Sequence, residues 1–283
     1  MKRAIFTAVL LIAQIIATHA QDIIYDREDS TFIENIIQEL KGNEFPDKGK
    51  LILSIADKFI GRQYVAGTLE NGTEEPLYIS CNKLDCTTFM ELVLAIGITI
   101  DKNKYCFKDV CHELERIRYR NGKRSGYTSR LHYISWWITD STKQGMIDEV
   151  TACRLSCRHN LHLSFMSEHP QSYTILNEDS EMREKIESLE KPFRGYAVDY
   201  IPKEVLGRSK EELPIEDGDI LALTTDIKGL DVTHVGFAFW KDGRLHLLHA
   251  SSGKKRVIRD NETLYNYQAK RKSQTGIRVF RMR

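Results

Sequence analysis

The segment Cys86-Thr87-Thr88-Phe89-Met90-Glu91-Leu92-Val93-Leu94-Ala95-Ile96 sets the strongest limit on how this chain can fold. Phe89, Met90, Val93 and Leu94 recur at helical spacing, while Leu92, Ala95 and Ile96 extend the apolar surface around the cylinder. Such a helix must be covered by other elements on nearly every side. Gly97 predicts its end. Asp85 has the side chain of an N-cap and places Cys86 in the first turn. Unpaired backbone N–H groups and the positive end of the helix dipole favour a thiolate there, and the same amides can face an oxyanion.

A thiol nucleophile needs a base from elsewhere in the fold. Thr233-His234-Val235-Gly236-Phe237-Ala238-Phe239-Trp240 reads as a strand, Lys241-Asp242-Gly243-Arg244 as a tight turn and Leu245-His246-Leu247-Leu248-His249-Ala250 as the return. With Asp242-Gly243 as a two-residue loop, position 241 faces 244, 236 faces 249 and 234 faces 251. His234 and His249 then share a face as diagonal neighbours, Gly236 leaves room between them, and His246 takes the other face. A three-residue loop would reverse the parity and nominate His246 instead. Cys86, His234 as base and His249 as the group orienting that base follow the logic of an activated nucleophile.

The remaining patterns place helices before strands, an α+β order. Helices are predicted over residues 30–40, 48–61, 107–119 and 179–190, and strands over 220–224, 233–240, 245–250 and 276–282. Residues 102–205 show little strand signal and read as an insertion between the nucleophile helix and the sheet, a natural specificity wall. Met1-Lys2-Arg3, the apolar run from Ala4 to Ala17 and the small residues before Gln21 predict a signal peptide over 1–20. That run is shorter than the ~20 residues of a membrane span, so a single domain over 21–283 is expected in a periplasm or outside the cell, with no stable membrane anchor. With 41 basic and 40 acidic residues the chain has no global field to attract nucleic acid. If Cys86 is free, Cys81, Cys106, Cys111, Cys153 and Cys157 remain, and their odd number leaves the disulfide pattern open. Cys153, Cys157, His159 and His162 crowd onto one short segment, which is poor spacing for zinc, and no metal or cofactor is expected.

Four motifs also occur in the order of a known group. Gly61-Arg62-Gln63-Tyr64-Val65-Ala66-Gly67, Asp85-Cys86-Thr87-Thr88-Phe89, Gly218-Asp219-Ile220 and Thr233-His234-Val235-Gly236 resemble the motifs of the NlpC-type papain-like cell-wall hydrolases. Within that group the chain resembles the N-acetylmuramoyl-L-alanine amidase-like branch through Tyr119-Arg120-Asn121-Gly122, Ser129-Arg130-Leu131-His132-Tyr133, Tyr200-Ile201-Pro202-Lys203 and Leu248-His249-Ala250-Ser251. Two departures stand out: Gln63 replaces a usual proline, and Trp136-Trp137 replaces an acidic residue before a single tryptophan. The resemblance implies a papain-like α+β core, with the nucleophile at a helix N-terminus packed on an antiparallel sheet. It also implies Tyr64 beside the nucleophile.

The expected activity is that of a secreted cysteine amidohydrolase acting on peptidoglycan or muropeptides, with the bond between N-acetylmuramic acid and L-alanine carried over from the resemblance. Cleavage between D-glutamate and a diamino acid is the alternative chemistry, and an inactive muropeptide-binding protein the alternative of another class. Lipid acyl transfer fits less well, since those relatives often place histidine before cysteine. Tyr64, which the resemblance implies contacts the reacting carbonyl or the peptide, Asp85, Arg130, His132 and Tyr133 are the candidate substrate-binding residues, Arg130 as a cationic fork for a peptide carboxylate and Trp136 or Trp137 as a stacking face.

Overall fold

The computed structural model describes residues 23–70 and 74–283, so the expected signal segment lies outside the described residues. The helix Cys86–Asp101 is buried at every position from Thr88 to Ile100. Phe89 lies edge-on between Phe59 and Phe237, with ring centroids 5.8 and 5.7 Å away. Truncating so buried an aromatic typically costs about 3–5 kcal/mol. Gly97 does not end the helix. A Cβ there would stand 2.7 Å from Ile52 Cδ1, so the glycine is the point where helix Lys48–Asp57 packs against this one, and the helix continues to Asp101.

The helix lies on a mixed sheet of ten strands. Along its main path the order is Lys83–Leu84, Gln63–Tyr64, Arg256–Thr263, Arg244–Ser251, Val232–Lys241, Ile220–Thr225, Gln274–Met282, Ala197–Pro202 and Cys157–Asn160. Pairing is antiparallel except between Gln63–Tyr64 and Lys83–Leu84. Strand Ile220–Thr225 shows why its sequence is continuously apolar: Ile220 and Ala222 face the helix, while Leu221 and Leu223 belong to a second core on the other face. Leu264 and Tyr267 of the short helix Leu264–Ala269 cover that second core.

The stretch 102–205 is woven into the sheet rather than set beside it. Ala197–Pro202 and Ile147–Glu149 both pair with Gln274–Met282, and Cys157–Asn160 extends the edge. These strands are short and lack alternation; all four residues of Cys157–Asn160 are exposed, so a period-two signal has nothing to arise from. Strand Arg256–Thr263, which sequence reasoning missed, is strongly polar (Arg-Val-Ile-Arg-Asp-Asn-Glu-Thr) for the same reason. Trp136 and Trp137 are fully buried in helix Ile134–Lys143 and anchor it to the main core, which removes them as stacking surfaces for a ligand.

Candidate active site

Asp85 is extended at φ −96° and ψ −177°, and its Oδ1 accepts the Thr88 N–H at 2.8 Å. Thr88 Oγ1 in turn accepts the Asp85 N–H at 2.9 Å, completing a reciprocal cap that starts the helix at Cys86. The Cys86 thiol is half-buried and free of any disulfide. Burial first and the Asp85 carboxylate second push its pKa up to about 12, against opposing hydrogen bonds from Thr87 and the main chain of Val235. The helix N-terminus therefore does not supply a resting thiolate; the capping carboxylate that organises the turn offsets the dipole.

The hairpin turns through Asp242 and Gly243, at φ 51° and 70°. Lys241 pairs with Arg244, so the loop has two residues, and the register continues to Phe237 opposite Leu248. Gly236 is required here, since a Cβ would lie 2.9 Å from His249 Cβ and 2.9 Å from the Leu248 carbonyl oxygen. His234 Nε2 and His249 Nδ1 are 2.5 Å apart, and His249 Nε2 faces Asp260 Oδ2 at 3.5 Å. That last separation is an electrostatic contact rather than a full hydrogen bond, yet His249 lowers the carboxyl pKa of Asp260, which stays ionised. With the His249 proton on Nε2, toward Asp260, its Nδ1 accepts the His234 Nε2–H. His234 Nδ1 is then the lone pair left for a thiol. Burial, with contributions from His249 and Arg271, holds the His234 pKa well below the ordinary histidine value, so its ring is neutral. His246 lies on the opposite face, its Nδ1 3.0 Å from the Asp260 carbonyl oxygen and its ring stacked on Phe239.

Two tyrosines close the site. Tyr64, at the inner end of strand Gln63–Tyr64, has its pKa pushed up to about 12 by burial, then by Cys86 and Asp85, which places its phenol within electrostatic reach of the nucleophile. Tyr267 also senses Cys86, and its ring centroid is 6.3 Å from His234 and 5.6 Å from His249. The Arg271 guanidinium lies over the Tyr267 ring at 3.5 Å. Asp260, Tyr267 and Arg271 were not anticipated. No sequence signal pointed to Asp260: its place two residues beyond Ile258, the partner of His249, is fixed only once the strands pair.

A second polar wall adjoins the first turn of the nucleophile helix. Asp85, Thr87 and Thr88 on one side and Arg130, His132 and Tyr133 on the other line a cavity of about 170 Å³. The structure thus brings four of the five predicted binding residues to one cavity, Tyr64 lying outside its lining, but the polar groups of these four are already engaged. Arg130 is buried, with Nη2 2.8 Å from Glu70 and Nε 3.2 Å from Glu75, so it is not an open fork for a carboxylate. His132 Nε2–H donates to the Tyr127 carbonyl oxygen at 2.8 Å and its ring packs on Tyr127 at 4.3 Å. The Tyr133 hydroxyl donates to Glu190 at 2.7 Å and accepts the Met166 N–H at 2.8 Å. Asp85 is held by its cap. No group of three potential metal ligands comes together among the described residues.

The thiol at this helix start is thus hydrogen-bonded by the main chain of a hairpin whose two strands each carry a buried histidine. Residues 54–277 match the model of the AmiA-like family, described as N-acetylmuramoyl-L-alanine amidase-like. The chain belongs to this family. Among solved structures, an N-acetylmuramoyl-L-alanine amidase from Bacteroides uniformis is similar over 83% of this chain and 99% of its own, at 41% identity and a TM-score of 0.79. A Bacteroides fragilis protein provisionally described as a xylanase matches over 81% of this chain and 100% of its own, at 44% identity and a TM-score of 0.77. A Legionella pneumophila protein at 20% identity shares the fold, with a TM-score of 0.66 over 90% of this chain and 94% of its own. No curated protein matches the chain.

Proposed function

We propose that the chain is an exported cysteine amidohydrolase of papain-like, NlpC-type architecture that cleaves the amide between N-acetylmuramic acid and L-alanine in peptidoglycan fragments. The observation carrying this reading is the line Asp260, His249, His234, which leaves one histidine nitrogen unclaimed beside the strand that hydrogen-bonds Cys86. Cys86 and His234 both rest neutral, so the thiol proton passes to His234 Nδ1 as sulfur attacks the amide carbon. Capping takes the Thr88 N–H, and the Phe89 N–H bonds the Asp85 carbonyl oxygen at 3.0 Å. The Cys86 N–H remains as an oxyanion donor, with the Tyr64 hydroxyl as a second. His234 then protonates the departing amine of L-alanine, leaving a thioester. Water, deprotonated by His234, hydrolyses the thioester and releases the muramic acid carboxylate and the free thiol.

A glycosidase reading, prompted by the name of the Bacteroides fragilis neighbour, needs two carboxyl groups flanking the bond. Here Asp85 caps the helix, Glu91 is paired with buried Arg118 at 2.7 Å and Glu70 with Arg130. Mass spectrometry of defined muropeptides incubated with the wild type and with Cys86→Ala tests the proposal. Release of intact stem peptide by the wild type alone is the expected result. Products cut after D-glutamate would move the bond, and cleaved glycan would remove the amidase reading.

A further inference from the structure

The turn after the hairpin and the strand that follows carry four cations in six residues: Lys254, Lys255, Arg256 and Arg259. Arg259 is held by Asp57 through contacts of 2.7 and 2.8 Å. The other three are exposed, and none forms an ion pair among the described residues. Lys255 adopts a left-handed φ of 57°, which a non-glycine side chain enters only at a cost. Its carbonyl oxygen accepts the Tyr64 N–H at 3.0 Å, and its Nζ lies 5.9 Å from the Tyr64 ring centroid. Arg256 is paired on one side with Gln63 and on the other with Ser251. Since His249 pairs with Ile258 in the same ladder, Arg256, Ile258 and Asp260 share the face of His249.

These residues border a groove of about 550 Å³ lined by Ile60, Gly61, Lys254, Arg256, Arg259 and Asp260. Its volume is that of a ligand site. Asp260, which lies 3.5 Å from His249, is part of this lining. The groove therefore leads from an open cationic lip to the back of the proposed catalytic line, with Lys255 and Tyr64 bridging toward Cys86. Arg130, by contrast, is already paired with Glu70 and Glu75.

We propose that Lys254 and Arg256, with Lys255 at the rim, bind the free carboxylates of the stem peptide and so hold the acyl bond at Cys86. From the amidase reading this takes only the identity of the ligand, a short peptide bearing two or more carboxylates. The test measures binding of a free tripeptide of L-alanine, γ-linked D-glutamate and a diamino acid to full-length Cys86→Ala by calorimetry. Adding Lys254→Gln and Arg256→Gln is expected to weaken binding by about 10- to 100-fold, and the gap should narrow as salt is raised. The same peptide with amidated carboxylates should bind both proteins alike. In turnover on a muropeptide, the double variant of the active protein should raise KM by a similar factor with little change in kcat. Equal tripeptide binding by the two proteins, or none by Cys86→Ala, overturns the proposal. If the wild type hydrolyses no muropeptide yet tripeptide binding depends on Lys254 and Arg256, the amidase reading fails while the groove stands. If it hydrolyses one and the double variant keeps its KM, the groove alone is wrong.

Discussion

Two buried polar clusters flank the Cys86 helix; each keeps one buried nitrogen without a hydrogen-bond partner, Arg130 Nε and His249 Nε2, and they differ in how their charges are matched. Around Arg130, charges meet charges: Glu70 and Glu75 hold the guanidinium, and the neighbouring His132 and Tyr133 have carbonyl, carboxylate and amide partners. Along the hairpin, Asp260, His249 and His234 are joined in sequence, and the line ends on an unclaimed imidazole nitrogen. The first arrangement closes on itself and stabilises a wall. The second, in the proposed mechanism, orients His234 for proton transfer from Cys86. Both consist of residues that look catalytic in a sequence, so residue type alone could not separate them.

The sharpest way to break this distinction is to remove the reacting ends. Cys86→Ala and His234→Ala should each lower kcat by at least about 10³-fold while circular dichroism and the unfolding midpoint stay close to wild type. An alanine variant of either residue with more than a few per cent of wild-type turnover would place the chemistry elsewhere.

Next in size are the orienting residues. His249→Ala should reduce kcat by about 10²- to 10³-fold, and Asp260→Asn by about 10- to 100-fold, the range for groups acting through another ligand or base. The smaller value for Asp260 follows from its 3.5 Å contact. His246→Ala should lower thermal stability through loss of its bond to the Asp260 carbonyl and its stack on Phe239, with kcat changed only a few-fold. Equal kinetic damage from His246→Ala and His249→Ala would erase the difference between the two faces of the hairpin.

Much of this line was readable from residues 84–97 and 233–250. An all-round apolar helix after a capping aspartate, and Asp242-Gly243 between alternating strands, each force one local geometry, and Gly236 has no substitute beside His249. Asp260 was invisible because strand Arg256–Thr263 is held by pairing rather than by an apolar face of its own. Gly97 misled because a glycine at a helix crossing and a glycine at a helix end look the same until Ile52 is placed against it. The pairing of Arg130 was not legible because its partners, Glu70 and Glu75, lie far off in sequence.

The pH response separates a neutral pair from a preformed ion pair. In the proposed mechanism His234 must be neutral to accept the thiol proton, and its pKa is held well below the ordinary value of 6.5. Activity should thus persist into mildly acidic solution and fall only as His234 protonates. The unfolded chain binds that proton near 6.5 and the native chain does not, so His234 makes native stability decline as pH drops below about 6.5. The Cys86 thiol is raised from 9.0 to about 12. It keeps its proton in the native state where the unfolded thiol loses it, so its contribution to stability is lost as pH rises above about 9. Alkylation of Cys86 by iodoacetamide should remain slow at neutral pH and climb across the alkaline range. A plateau of fast alkylation between pH 5 and 8 would indicate a thiolate–imidazolium pair instead.

The smallest effect on turnover is expected at Arg130, which sharpens the comparison from the other side. Arg130→Ala leaves Glu75, itself buried, and Glu70 without their cation. Breaking a buried pair by removing one partner costs up to about 3–5 kcal/mol. The partial exposure of Glu70, at 29%, reduces the share lost through that contact. A cost near 2–3 kcal/mol, read as a lowered urea midpoint with unchanged slope, is therefore expected. Arg130→Lys should recover only part of it, because an ammonium cannot span both carboxylates as the planar fork does. At a temperature where the variant remains folded, KM for carboxylate-bearing muropeptides should stay within about threefold of wild type, against a change of tenfold or more if Arg130 clamped a substrate carboxylate. A large rise in KM without loss of stability would show that Glu70 and Glu75 release Arg130 when substrate arrives, making the closed cluster a second binding element rather than a wall.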